Sequence, residues 1–368
     1  MMHAAAIRLR GLCPRALIIA ILFGLCAAPM SAATAAAPEV LKDAAGRTLS
    51  LPASPQRIVI VGRGPFMPLH LLYMFATGGE RLVGVEERSQ TLSFARSIDP
   101  QFSSKMVLKP NPGPEQIAAL KPDIVIIKGT SEDQTCLALK RINIPVMYVG
   151  LENPEQFFQD VRAVGTLLGE PARAEEIVRF YRTRLDTVRT RLKGIPEQSK
   201  PRVLVFAYHN RSGKAAVEVP AASWMQTIQV REAGGRPVWT EDLKETDGWS
   251  VVNFEQIASW NPDCIHITIW HTLDPAEVIK GLSTDPQWRK LKAVKSGRIH
   301  AIPSDLFGWD TPEPRWILGL TWMAAKTWPE RFKDYSLEAS VRAFFRELYR
   351  LDDKTIETRI LPHLRPKS

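Results

Sequence analysis

The sequence predicts an α/β protein of two similar lobes with central, mainly parallel sheets, joined by one long rigid α-helix, with a ligand cleft between the lobes. Three observations lead there. Compact β-branched runs alternate with helical patterns, as expected of parallel strands covered on both faces. The phrase PEQIAALKPDIVII at residues 114–127 returns as FEQIASWNPDCIHI at 254–267, identical at seven of fourteen positions, so the two halves repeat one architecture. Between the copies, AEEIVRFYRTRLDTVRTRLKG keeps helical apolar spacing for about six turns.

The elements follow in order. MMHAAAIRLRGLCPR carries arginines and no acid, ALIIAILFGLC is apolar, and PMSAATAAAP is rich in small residues. These are the three regions of a secretory signal peptide, expected over 1–36 with cleavage after Ala32 or a few residues later. The apolar run is shorter than the roughly 20 residues that span a bilayer. Leu25 directly before Cys26 disfavours lipidation, so a soluble, exported chain is expected. An N-terminal lobe follows over 37–168. It opens with a hairpin around Ala45-Gly46 (38–57), then a strand RIVIVG (57–62), a helix HLLYMFATGG (70–79) and a strand RLVGVEE (81–87). The short helix PEQIAALKP, the strand DIVIIKG (123–129) and a helix leading into a fourth strand complete it. From Asn153 the apolar spacing becomes helical, breaks at Gly169-Glu170-Pro171, and resumes as the connecting helix, 169–195. The C-terminal lobe, 196–368, restarts the rhythm with PRVLVFAY (201–208), the helix SWMQTIQVREAGG, the second EQI helix, the strand DCIHITIW (263–270) and RIHAIP (298–303). Two helical segments close it.

Composition excludes several classes. The 368 residues are 45% hydrophobic and 24% charged, which is globular. Losing Arg8, Arg10 and Arg15 with the leader lowers the formal charge from +9 to about +6. No basic block interleaved with aromatics points to nucleic acid. Cys136 and Cys264 alone survive processing and read as buried apolar fillers, not a bridge. GRGPFM (62–67) is a poor dinucleotide fingerprint, because Met67 stands where a small residue is needed. Six scattered histidines, with no HExxH or CxxC, form no metal site. His266, inside a strand, reads as a core histidine, whereas His209 and His271 follow strands. No nucleophile elbow or phosphate loop occurs, so no catalytic residue, metal ligand or cofactor is expected.

What remains is a set of polar and aromatic residues just past strand ends, where open α/β sheets bind ligands. In the first lobe these are Arg63, Phe66 and Arg88, with Lys128–Asp133. In the second they are Tyr208, His209, Arg211, Trp249, Trp270, His271, Trp309 and Asp310.

DxxGR (Asp43–Arg47), the RIV strand, the two EQI…PD copies, the long helix, VKSGRIHAIP and PRWILGLTWMA together resemble a periplasmic substrate-binding protein of the iron-siderophore/cobalamin type. The resemblance spans nearly the whole mature chain. It implies a monomeric, periplasmic, non-enzymatic binder that delivers cargo to an ABC permease dimer in the inner membrane. It also implies that Glu115 and Glu255 dock to that permease, a two-fold partner meeting a repeated contact. The bland alternative is that both glutamates only complement helix dipoles. The implied cargo is a small anionic metal complex of the ferric-siderophore kind, neutralised by Arg63, Arg88 and Arg211. A molybdate- or tungstate-type oxyanion is second, because W-D-x-P-x-P-R-W looks like that branch, and haem would take Tyr208 or His209 as axial ligand. The competing class is an exported enzyme on a chelatase-like scaffold, which the leader and paired glutamates disfavour. A zinc or manganese binder would need more histidines on site loops.

Overall fold

The computed structural model describes residues 41–49, 54–88, 92–211, 214–243, 248–269 and 273–366. The predicted leader therefore lies outside the described residues. The opening hairpin pairs β1 (Leu41–Lys42) with β2 (Thr48–Leu49) in antiparallel register. Its DxxGR turn is self-clamped. The Asp43 carboxylate accepts from the Arg47 side chain at 2.5 and 3.0 Å, from the backbone N–H groups of Ala45 and Arg47, and from that of Tyr148.

The first sheet is all parallel. Its strands β3 (Ile58–Val61), β4 (Leu82–Glu86), β5 (Met106–Leu108), β6 (Ile124–Lys128) and β7 (Val146–Val149) lie in the order β5-β4-β3-β6-β7. Strand order reverses between β3 and β6, which opens a crevice at their carboxyl ends. The covering helices are α1 (Phe66–Leu72), α2 (Gly78–Arg81), α3 (Ser93–Ile98), α4 (Pro114–Ala118) and α5 (Gln134–Arg141).

The expected connecting helix is α7 (Pro171–Arg191), preceded by α6 (Pro154–Leu168), with Gly169 turning the corner between them at φ 72°. Glycine adopts that left-handed conformation without a Cβ penalty. Glu170 fixes the corner by accepting from the N–H groups of Ala76 and Thr77 at 2.9 and 3.0 Å. α7 is about 30 Å long at 1.5 Å per residue. Arg173 near its start donates to the carbonyls of Met74, Glu347 and Leu348, and Arg189 and Arg191 near its end pair with Glu232 and Asp334.

The second sheet is mixed. Strands β8 (Arg202–Arg211), β9 (Lys214–Val219), β10 (Arg236–Pro237), β11 (Ser250–Val252), β12 (Cys264–Ile269) and β13 (Ile299–Ala301) run in the order β11-β9-β8-β12-β13, with β10 beside β8. β8, β12 and β13 are parallel, while β9 pairs antiparallel with both β8 and β11. The strand expected to end at Tyr208 continues to Arg211, because a hairpin to β9 supplies its backbone partners. Helices α8 (Met225–Glu232), α9 (Phe254–Trp260), α10 (Pro275–Thr284), α11 (Lys292–Lys295), α12 (Trp316–Thr327), α13 (Leu337–Tyr349) and α14 (Asp353–Thr355) complete this half.

One contiguous hydrophobic cluster runs from β3 and β6 through α6, α7, α12 and α13 to β8 and β12. Cys136 and Cys264 are buried and form no disulfide among the described residues, and His266 is buried with its Nε2 3.3 Å from the Thr327 hydroxyl.

The repeated phrase is explained locally. Gln116 and Gln256 reach back to the N–H groups of Gly113 and Asn253 at 2.8 and 3.0 Å, closing a capping interaction at α4 and at α9. Asp123 accepts from the N–H groups of Gln56 and Arg57, and Asp263 from that of Arg202, so each aspartate holds the start of the neighbouring strand. Arg57 in turn donates to the carbonyls of Leu120 and Lys121 just past α4, and Arg202 to that of Trp260 at the end of α9. Glu115 and Glu255 are exposed and form no ion pair among the described residues.

Candidate functional site

A cavity of about 630 Å³ lies between the carboxyl ends of the two sheets. On the first side, β3 ends in a turn at Gly62, whose φ is 97° and where a Cβ would lie 2.9 Å from Ile127. The Gly62 N–H donates to Glu86 at 2.7 Å, and the turn delivers Gly64, Phe66 and Met67 to the wall. Lys128, at the end of β6, also lines the cavity and pairs with Glu152.

On the second side, strand alternation selects the lining. Ala207 and His209 of β8 face the cavity, while Tyr208 lies on the opposite face against the main core. His209 sits 3.4 Å from Glu218 of β9. Trp224 and Gln226 enter from the start of α8, Trp249 from the segment before β11, and Thr268 from the end of β12. The loop after β13 contributes Ser304, Asp305, Phe307 and Asp310. Phe66 meets Phe307 with ring centroids 4.1 Å apart, joining the two walls.

Beneath this wall lies a buried polar network. The fully buried guanidinium of Arg315 donates to Asp305 at 2.8 and 2.9 Å and to Glu313 at 3.0 Å, and stands 4.2 Å from the Phe94 ring. Glu313 is 2.9 Å from His70 Nδ1 of α1, so the network crosses from one half to the other. Burial pushes Glu313 up to about 7 against the pull of Arg315. Burial, then the Arg315 charge, holds His70 well below its ordinary range. Burial also raises Asp310.

The expected site residues divide clearly. Phe66, His209, Trp249 and Asp310 share the cavity. Trp309 is fully buried, its indole N–H donating to Asp305 at 3.0 Å, so it shapes the loop from behind. Arg63 is exposed outside the lining. Arg88 also stands outside it, held by Glu86 at 2.7 Å and Asn111 at 2.7 Å. Arg211 closes β8, but its side chain lies outside the described residues, as do Trp270 and His271. The described wall thus brings none of the three expected arginines to the cavity. Among the described residues no group of three or more His, Cys, Asp or Glu could hold a metal. Sequence reasoning passed over Glu152, Trp224, Gln226, Thr268 and Asp305. Only Asp305, inside the SDLFGWD loop after a strand, carried a positional signal.

Comparison with known proteins follows from this geometry. The family model described as periplasmic binding protein matches residues 82–306. The molybdate-binding protein MolA of Haemophilus influenzae is 20% identical over 261 residues, 65% of this chain and 70% of that one. An iron-uptake system-binding protein of Bacillus subtilis is 21% identical over 201 residues, 54% of this chain and 60% of its own. A periplasmic solute binding protein from Veillonella parvula superposes with a TM-score of 0.69 at 23% identity, covering 88% of this chain and 96% of that chain. This last likeness establishes the shared two-lobed fold.

Proposed function

The chain belongs to the periplasmic binding protein family, and on that premise we propose that it captures a metal held in an organic chelate of the ferric-siderophore kind and hands it to an inner-membrane permease. At the level of class it is a substrate-binding component of an ABC transporter and not an enzyme. The observation that carries the cargo reading is the cavity itself. Its volume of about 630 Å³ and its walls of Phe66, Trp224, Trp249 and Phe307 suit an organic ligand with apolar faces. A bare tetrahedral oxyanion needs on the order of 150 Å³, a few water volumes, and gains nothing from aromatic walls. Three carboxylates, Glu152, Asp305 and Asp310, stand in the lining beside one lysine, which also disfavours a small dianion. A metal inside a chelate brings its own donor atoms, which agrees with the lack of a ligand cluster among the described residues. For haem as cargo, His209 lines the cavity and Tyr208 does not.

The leader read in the sequence supports a periplasmic setting for this work. Glu115 and Glu255 supply the docking contacts. Within the repeat, Gln and Asp already have internal duties at both copies, whereas the two glutamates are exposed and form no ion pair among the described residues. Elemental analysis and native mass spectrometry of protein taken from its own periplasm test the cargo. Iron or another metal with an organic mass is the expected result. Molybdenum without an organic mass would replace this reading with the oxyanion one suggested by the MolA relative.

A further inference from the structure

One end of the cavity is built from acceptors, and no cation among the described residues answers them. Asp310 lines the cavity and is 3% exposed. Its Oδ2 accepts from the Thr268 hydroxyl, a neutral donor, at 2.9 Å, and Gln226, also neutral, acts on the same carboxylate. Among the described residues no lysine, arginine or histidine pairs with it, and the nearby charge it feels is Glu313, of like sign. Lys128, the lysine of the lining, is committed to Glu152, and Arg315 behind the wall is committed to Asp305 and Glu313.

A second observation on the same wall points the same way. Gln226 is 3% exposed and lines the cavity, and its Oε1 is buried without a hydrogen-bond partner. That oxygen is an unmet acceptor in the wall of the cavity. An unmet buried acceptor costs about 1–3 kcal/mol, and an uncompensated buried carboxylate more. Beside them stand Trp224 and Trp249, edge to face with centroids 5.7 Å apart. Indole faces attract a cation through their quadrupole.

We propose that the corner formed by Asp310, Gln226, Trp224 and Trp249 is a subsite for a protonated amine, so that the cargo carries a cationic nitrogen beyond its metal-binding groups. This deepens the chelate reading above and rests on it. An ammonium donates to the carboxylate and to the Gln226 oxygen at once, as a charge-assisted pair that an anion or an ether cannot replace. It also accounts for the placement of Arg63 and Arg88 outside the cavity, since a cationic end of the cargo brings no negative group for them to neutralise.

The test uses the mature chain and two ferric trihydroxamates identical except for one end, a free ammonium in the first and its N-acetyl derivative in the second. Titration is followed by quenching of tryptophan fluorescence. The expected result is at least tenfold tighter binding of the ammonium form. Asp310→Asn should bring the two within about twofold, chiefly by weakening the ammonium form. Gln226→Leu should remove part of the preference, and serves if Asp310→Asn melts early. Equal affinities, or a preference for the acetylated form, overturn the subsite and leave the chelate reading standing. If neither probe binds, the small molecule retained on protein from its own periplasm decides. A retained chelate that loses affinity once its amine is acetylated supports the subsite. A retained chelate with no basic nitrogen overturns it. A protein that retains nothing and binds neither probe removes the solute site, and the proposal with it.

Discussion

Replacing Arg315 with methionine keeps an unbranched apolar side chain but removes the guanidinium that lies over Phe94 and Phe345 and faces Asp305 and Glu313 with both partners fully buried. Stripping one member from a buried ion network typically costs about 3–5 kcal/mol. Here the lower end is expected, since Asp305 keeps the Trp309 indole N–H and Glu313 keeps the backbone N–H of residue 315. Glu313 already titrates at about 7, so in the variant it takes up a proton near neutrality and escapes the penalty of a lone charge. Asp305 then dominates, and the loss should be about 3 kcal/mol at pH 8 and smaller at pH 5.5. Urea unfolding followed by tryptophan fluorescence at the two pH values measures this. Adding Asp305→Asn should recover more than half of the loss at pH 8. A loss below about 1 kcal/mol at pH 8, or one that does not shrink on acidification, would refute the view that this network ties the halves together.

Gly319→Ala places a Cβ 2.2 Å from the Trp309 carbonyl; overpacking of this kind costs about 1–3 kcal/mol, and because Trp309 adjoins Asp310 it should weaken chelate binding as well, measurable by thermal melts and titration. His300 is lowered to about 4, chiefly by burial. The unfolded chain therefore takes up that proton first as pH falls below 6.5, and stability is lost between roughly 6.5 and 4. The stable neutral variant His300→Gln should flatten that limb by about 3 kcal/mol, read from urea midpoints at pH 4 and 7. Asp160, raised to about 6 by burial, acts oppositely: the native state holds the proton longer, so its share of stability falls as pH rises from about 4 to 6, and Asp160→Asn should lessen that decline. Glu115→Ala with Glu255→Ala should leave ligand titrations unchanged and abolish uptake in cells; retained uptake would end the docking reading.

Much of the fold was legible because hydrophobic period and punctuation agreed locally. The run RIVIVG and both EQI…PD copies each specify their own conformation through capping and strand-start contacts within a short span, whereas the helix expected over 70–79 spans Phe66–Leu72 and Gly78-Gly79 open α2 instead of ending it. The second half was harder. AYHNRSGKAAVEV was read as a strand followed by a site loop, although Ser-Gly between alternating residues is a turn signal; the structure makes it a hairpin, and its period of two turns Tyr208 away from the cavity while keeping His209 in it. The site itself was half legible. Position after a strand identified Phe66, Trp249 and Asp310, but Gln226 and Thr268 matter through what they touch across the fold, and no spacing encodes that. The arginines failed as cavity residues for a related reason: charge is visible in a sequence, whereas a nearby acid such as Glu86 that claims it is not.

The cluster that runs unbroken from one sheet to the other, with Phe66 against Phe307 and His70 against Glu313, makes the base of the cavity a fixed fulcrum. A receptacle welded at its floor has little angle with which to announce that it is full. The difference between loaded and empty must then be carried by the rim, in the loops around Trp249 and residues 304–312, and a permease gripping both glutamates would feel occupancy as a stiffening of that rim more than as a closing of jaws.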